Sequence, residues 1–272
     1  MRTTTRVPWL LHAACCLGIA FGIAACSTSE PRAAQAPEQL RADVLETLPH
    51  DPTAFTQGFE IAHGILYEST GIVGESDVRA TDPATGEILA SEELPPPLFG
   101  EGLTVIDDRL WQLTWKSEIA IERDRHTLEE IRRVGYEGEG WGLCYQDERD
   151  RLVMSDGSDT LTFRDPDTFA PLDEVAVHAA GEPVTQLNEL ECVDDRVYAN
   201  VWKSDVIVRI DPGTGEVTAE IDASGLLEPD QEDDADVLNG IAAIPGTDQY
   251  LLTGKLWPST FRVRFVQAGD GV

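Results

Sequence analysis

Lysine is nearly missing from this chain of 272 residues: it occurs only as Lys116, Lys203 and Lys255, although arginine is frequent. Basic residues number 20 against 50 acidic ones, for a net charge of −30. That balance excludes nucleic acid and anionic membrane surfaces as partners of the folded part, because both need a basic face. Histidine is also sparse. His50, His63, His126 and His178 are scattered at turns or strand ends, and no Ser-His-Asp arrangement can be built from them. No cysteine or histidine spacing matches a zinc site, so no metal is expected. Beyond residue 40 no stretch carries a convincing helical period, which excludes a helical bundle.

Long apolar runs are confined to the start. Arg2 and Arg6 precede an apolar segment, residues 9–25, interrupted by His12 and ending in Ile23-Ala24-Ala25-Cys26. This pattern reads as a signal peptide, residues 1–26, with a bacterial lipoprotein box and Cys26 as lipid acceptor. Ordinary cleavage near Ala25, with Cys26 incidental, is the competing reading. Residues 27–40 have the composition of a flexible tether. The expected location is outside the cytoplasm, as a periplasmic or cell-envelope lipoprotein, touching membrane only through that anchor. Beyond Cys26 only Cys144 and Cys192 remain. They fall one position out of phase in the repeat described next, and the expectation is two buried thiols. The acidic run 228–236 reads as an exposed loop, whose carboxylates are also suitable oxygen ligands for calcium.

From residue 55 onward a pattern recurs five times. The first segments are FTQGFEI (55–61), FGEGLTVI (99–106), EGWGLCY (139–145), LNELECV (187–193) and LNGIAAI (238–244). Each is followed by an apolar strand, such as DRLWQLTWK (108–116) or DRVYANVWK (195–203), and most by an Asp turn such as DPATGE (82–87) or DPGTGE (211–216). The copies are roughly 40–50 residues apart, the period of four-stranded propeller blades. The expected fold is therefore all-β: a five-bladed β-propeller of four-stranded blades over residues 41–268. The last copy lacks an outer strand, and residues 41–48 are expected to supply it, closing the ring and covering its exposed edges.

Equivalent positions in a ring face one axis. The position before the glycine slot collects Gln57, Glu101, Trp141, Asn188 and Asn239. Four are polar within otherwise apolar strands. A second slot, near the exit of the second strand, collects Thr70, Trp115, Gly157, Trp202 and Lys255. Tryptophan in a β-protein is ordinarily core, and polar channel residues ordinarily bind water. Repeat equivalence favours a polar pocket walled by Phe99, Trp115, Trp141 and Trp202. Glu101 is then its titrating group, made a stronger base by apolar walls.

The segments FTQGF, YESTG, FGEGLT, QLTWK, EGWGL, LNELE, YANVW followed by SD and RIDP, DVLNGIA and LTGKLWP resemble the glutaminyl cyclases of the plant and bacterial type, in family order from about residue 44 to 265. The resemblance implies a five-bladed propeller that cyclises N-terminal glutamine to pyroglutamate with release of ammonia. It implies no cofactor, and peptides or proteins with N-terminal glutamine as partners. It makes Glu101 the acid/base. Gln57, Asn188 and Lys255 bind and polarise the substrate, with Lys255 and Asn188 on the oxyanion. Trp115, Trp141 and Trp202 form the wall, completed by Phe55 and Phe99, and Asn239 joins the binding set from its slot. Two other classes compete: an exported propeller that only binds peptides or proteins, and a metal-dependent propeller hydrolase. The latter needs carboxylates converging on the axis, and the inner slot offers Glu101 alone.

Overall fold

The computed structural model describes residues 1, 3–5 and 36–269. The apolar leader run, the Cys26 box and most of the tether segment lie outside these residues. Among the described residues no helix is long and apolar enough to cross a membrane. The all-β expectation holds: among the described residues the one helical element is a 3-10 turn at Asp147–Arg149.

After β1 (Glu38–Pro49), the first four-stranded sheet runs β2 (Thr56–Ala62), β3 (Ile65–Thr70), β4 (Asp77–Thr81), β5 (Ile88–Glu93). The second is β6 (Gly100–Ile106), β7 (Arg109–Thr114), β8 (Ile119–Asp124), β9 (Glu130–Gly135). The third is β10 (Leu143–Gln146), β11 (Arg151–Met154), β12 (Thr160–Arg164), β13 (Pro171–Ala176). Two short strands follow, β14 (His178–Ala179) and β15 (Glu182–Pro183). Then come β16 (Leu187–Val193), β17 (Arg196–Val201), β18 (Val206–Asp211) and β19 (Glu216–Asp222). The last are β20 (Leu238–Ala243), β21 (Gln249–Gly254) and β22 (Ser259–Gln267). These join one large sheet in the order β16-β17-β18-β19-β1-β22-β21-β20, with β14 and β15 at its side.

The N-terminal strand is the seam of that sheet. It pairs antiparallel with β22, from Leu40 opposite Gln267 to Pro49 opposite Ser259, and parallel with β19 through Leu40 and Ile221. It begins at Glu38, inside the segment read as tether, because Leu40 is buried against Ile221 and Val263. Parallel and antiparallel pairing on its two sides leave β1 with no open edge along that stretch.

Burial falls from the first strand of each four-stranded sheet to the last. Every residue of β6 is buried, whereas β5, β9 and β13 are largely exposed. The first strands pack on one another in sequence, β2 on β6, β6 on β10, β10 on β16, β16 on β20 and β20 on β2. Glycine makes that approach possible: a Cβ on Gly58 would lie 2.5 Å from the Leu103 nitrogen, and one on Gly142 2.1 Å from the Asn188 carbonyl oxygen. First strands have one unpaired edge, and their N–H groups must find acceptors elsewhere. Carboxylates on neighbouring first strands supply them. Val105 N–H donates to Glu60 (3.2 Å to the nearer oxygen), Phe59 and Ile241 N–H to the two oxygens of Glu189 (3.3 and 2.9 Å), and Ala243 N–H to Glu191 (2.8 Å). The axis thus holds three carboxylates beyond Glu101, a correction to the expectation of one.

The Asp turns share one device. Oδ1 of Asp82, Asp124 and Asp165 accepts from the backbone N–H groups two and three residues on. The residue four after each aspartate is left-handed. It is glycine at Gly86, but Leu128 and Phe169 take the same φ of 63° because both side chains are buried.

Cys144 and Cys192 form a disulfide, with Cα atoms 5.4 Å apart. The expectation of two thiols was wrong. It compared side-chain phase as though both strands lay in one sheet. They lie on β10 and β16, which belong to different sheets packed on each other, so strand alternation does not fix their relative aim.

A buried ion pair ties the N-terminal segment to the first sheet. His50 Nδ1 donates to the Trp257 carbonyl (2.7 Å), and Nε2 meets Glu68 (3.0 Å), which also accepts from Thr56 Oγ1 (2.6 Å). Burial opposes charge on His50, but Glu68, the Trp257 carbonyl and Asp51 outweigh it and raise its pKa above 6.5. Burial likewise opposes charge on Glu68, and His50, Arg79 and Thr56 outweigh it, leaving its pKa lowered below 4.5. The pair therefore contributes fully between the unfolded glutamate and histidine values. Its contribution fades as pH rises through the raised value of His50 or falls through the lowered value of Glu68. His50→Ala should cost about 3 kcal/mol near pH 6. Thermal unfolding of both proteins should show a smaller difference near pH 9.

Candidate active site

In four of the five first strands the ladder slips at the same place. The irregularity falls between Thr56 and Gly58, Gly100 and Leu103, Leu187 and Leu190, and Leu238 and Ile241. The residues inside these bulges are Gln57, Glu101 and Gly102, Asn188 and Glu189, and Asn239 and Gly240. A bulge turns a side chain out of the alternation of its strand. Here it frees the polar residues that the repeat singled out.

They open into a cavity of about 360 Å³. Gln57, Glu101, Asn188 and Lys255 line it, with Phe55, Phe99, Trp115, Trp141 and Trp202 as walls. Asn239 is the exception among the expected binding residues. It is buried outside the lining, and its Nδ2 donates to the Thr56 carbonyl (3.0 Å) and to Gln57 Oε1 (3.3 Å). Its amide thus holds Gln57. Thr70 also leaves the cavity, donating to Asp77 (2.6 Å). Gly157 of the same slot lies under Trp141: a Cβ there would sit 2.6 Å from the ring.

The walls are ring-on-ring contacts, edge-on for Phe55 with Phe99 and for Trp141 with Trp202 and tilted for Phe99 with Trp115. Phe55 meets Phe99 (centroids 6.1 Å), Phe99 meets Trp115 (5.5 Å), and Trp141 meets Trp202 (5.4 Å). Lys116 and Lys203 lie over the faces of Trp115 and Trp202 at 4.0 and 4.1 Å, and Lys255 lies 4.8 Å from the Phe55 ring centre. All three lysines of the chain therefore sit on the aromatics of this cavity. Sequence reasoning missed Lys203, Asp236 and Val237 in the lining. The signal for Lys203 was its place directly after Trp202. Asp236 and Val237 open the DVLNGIA segment of the resemblance, but no site role was read from them.

Electrostatics single out two groups. Burial pushes the Glu101 carboxyl well above the usual range; Lys255 and a hydrogen bond from Gln57 pull the other way, while Glu139 adds to the rise. Burial lowers the Lys255 pKa, against the attraction of Glu101 and Asp236. A desolvated acid and a desolvated base thus share one apolar pocket, the condition for moving a proton near neutral pH. Asn188 Oδ1 is buried without a hydrogen-bond partner and belongs to the lining. Among the described residues no group of three or more His, Cys, Asp or Glu side chains is placed to hold a metal ion. Glu60, Glu189 and Glu191 are engaged with backbone N–H groups, as described above.

Residues 17–265 match the family model for glutamine cyclotransferase. The chain belongs to the glutamine cyclotransferase family. A glutaminyl-peptide cyclotransferase of Arabidopsis thaliana is 39% identical over 232 residues, covering 83% of this chain and 72% of that protein. The crystal structure of Myxococcus xanthus glutaminyl cyclase superposes with a TM-score of 0.76 at 39% identity, covering 84% of this chain and 98% of that one. The segments quoted for the resemblance are those that build the cavity of this cyclotransferase family member.

The contact between Gly157 and Trp141 gives a direct test of the wall. Gly157→Ala, at φ +81°, should strain the backbone by about 1 kcal/mol and push the indole into the cavity. Steady-state kinetics should show a higher KM, with the melting temperature changed by only a few degrees.

Proposed function

We propose that this cavity cyclises the N-terminal glutamine of peptides or proteins to pyroglutamate with release of ammonia. The observation that carries this reading is the buried Glu101 and Lys255, with Gln57 and Asn188, inside an aromatic-walled cavity. The substrate brings its own nucleophile: its α-amine attacks its γ-carboxamide carbon, forming the C–N bond of the lactam. The protein must fold the glutaminyl side chain back on its amine, and the aromatic walls provide that orientation.

Glu101 takes a proton from the attacking amine and passes it to the departing nitrogen, so the carbon–nitrogen bond breaks with ammonia as the leaving group. Lys255 donates to the developing oxyanion, a contribution of about 3 kcal/mol. Asn188 keeps an Nδ2 donor for the oxyanion, and its unpaired Oδ1 is an acceptor for the substrate carboxamide NH₂. Gln57, held by Asn239, fixes the carboxyl of Glu101. The sheet pairing and the packing of the first strands support a five-bladed propeller, with β1 completing the last blade. The leader pattern and Cys26 support export with a lipid anchor in the cell envelope.

The test is to incubate the purified protein with a short Gln-initiated peptide and EDTA, and to measure ammonia and the loss of its mass from the peptide. One ammonia per cyclised peptide supports the reading; binding without turnover overturns it in favour of a recognition site. Glu101→Gln should lower kcat by roughly 10²–10⁴-fold. The wild-type kcat should fall with acid as pH drops through the raised Glu101 value, above the ordinary 4.5, and that limb should vanish in the variant.

A further inference from the structure

Glu139 stands outside every motif role assigned so far, yet two walls of the cavity hang from it. Its Oε2 accepts from both indole N–H groups, Trp115 Nε1 at 2.7 Å and Trp141 Nε1 at 3.1 Å. Its other oxygen pairs with Lys116 at 3.3 Å, and Lys116 in turn covers the Trp115 face. The two tryptophans come from different sheets, Trp115 after β7 and Trp141 before β10. Nothing else described bonds to either indole nitrogen, so Glu139 is the hydrogen-bond tie between the two rings across the sheet boundary.

We propose that Glu139 is a positioning residue for cyclisation, its single carboxylate oxygen holding the Trp115 and Trp141 rings at the separation that clasps the glutaminyl side chain. This rests on the cyclase reading above. A carboxylate suits the task because indole N–H groups donate only, and one anionic oxygen can accept two of them with charge-assisted strength. The hydrogen bonds of Trp141, Trp115 and Lys116 outweigh burial and keep Glu139 ionised. Its charge also bears on Glu101. The groups facing Glu101 are Lys255, Glu139, Gln57 and the Tyr136 hydroxyl; Lys255 also faces Asp236, and Glu139 faces Lys116.

Two substitutions separate geometry from charge. Glu139→Gln keeps one acceptor oxygen for both indoles and removes the negative charge. Glu139→Ala removes both. The expected result is a fall in kcat/KM on the order of 10²-fold for Glu139→Ala. Glu139→Gln should keep KM close to the wild type while its kcat profile shifts its acid limb to lower pH, because a charge that raises Glu101 is gone. Melting temperatures of both variants check that each is folded. A wild-type kcat/KM in folded Glu139→Ala overturns the proposal. So does a Glu139→Gln whose KM rises as far as that of Glu139→Ala.

Binding of the same Gln-initiated peptide, followed by tryptophan fluorescence, keeps this test apart from the cyclase reading. If the wild type binds without turnover, cyclisation fails. Weaker binding by Glu139→Ala, restored by Glu139→Gln, then still supports Glu139 as the residue that sets the walls, and unchanged binding overturns it.

Discussion

Five first strands crowd together with one edge each unpaired, and the rest of the molecule follows from how that edge is satisfied. Backbone N–H groups in this interior have no water to turn to, and each needs an acceptor. Glu60, Glu189 and Glu191 reach across to the next first strand and accept them. Burial raises the pKa of all three, Glu60 to about 7, and their bonds to N–H groups oppose the rise. At one end of the same strands the ladder slips, so that Gln57, Glu101, Asn188 and Asn239 escape the alternation. Close packing, bulge and freed polar side chain are one arrangement.

That arrangement also explains the division of labour between the two ends of these strands. Glu60 and Glu191, farther along the strands, accept from the backbone N–H groups of Val105 and Ala243 and line a second cavity with Tyr145 and Tyr250. Glu101 at the near end has one amide partner and a lysine instead, and is surrounded by aromatic rings. A carboxylate bound by several N–H groups is held in place; one left in an apolar pocket beside a desolvated amine can exchange a proton. The chain's three lysines lie against aromatic rings at the cavity.

Much of the site was legible because repetition did the work of an alignment. Glu101 and Asn188 stood in one slot, Trp115, Trp202 and Lys255 in another, and the structure brings all five to one cavity. Asn239 shared the slot but not the cavity, since its bulge turns its amide towards Thr56 and Gln57. Glu139 was invisible because its partners, Trp115 and Trp141, approach only when two sheets fold together. The Cys144–Cys192 disulfide was misread for the same reason: alternation orders side chains within a sheet and says nothing about aim between sheets.

The sequence by itself determined the strands, their turns and the kinship: alternation, Asp turns and the glycine slot are local, and each works over a few residues. The tertiary structure decided the surroundings of each buried carboxylate. Glu101 and Glu189 both sit in bulges of buried first strands, one beside Lys255 and the other between two backbone N–H groups. Burial acts on each alike, and only the neighbours brought in from distant parts of the chain set them apart.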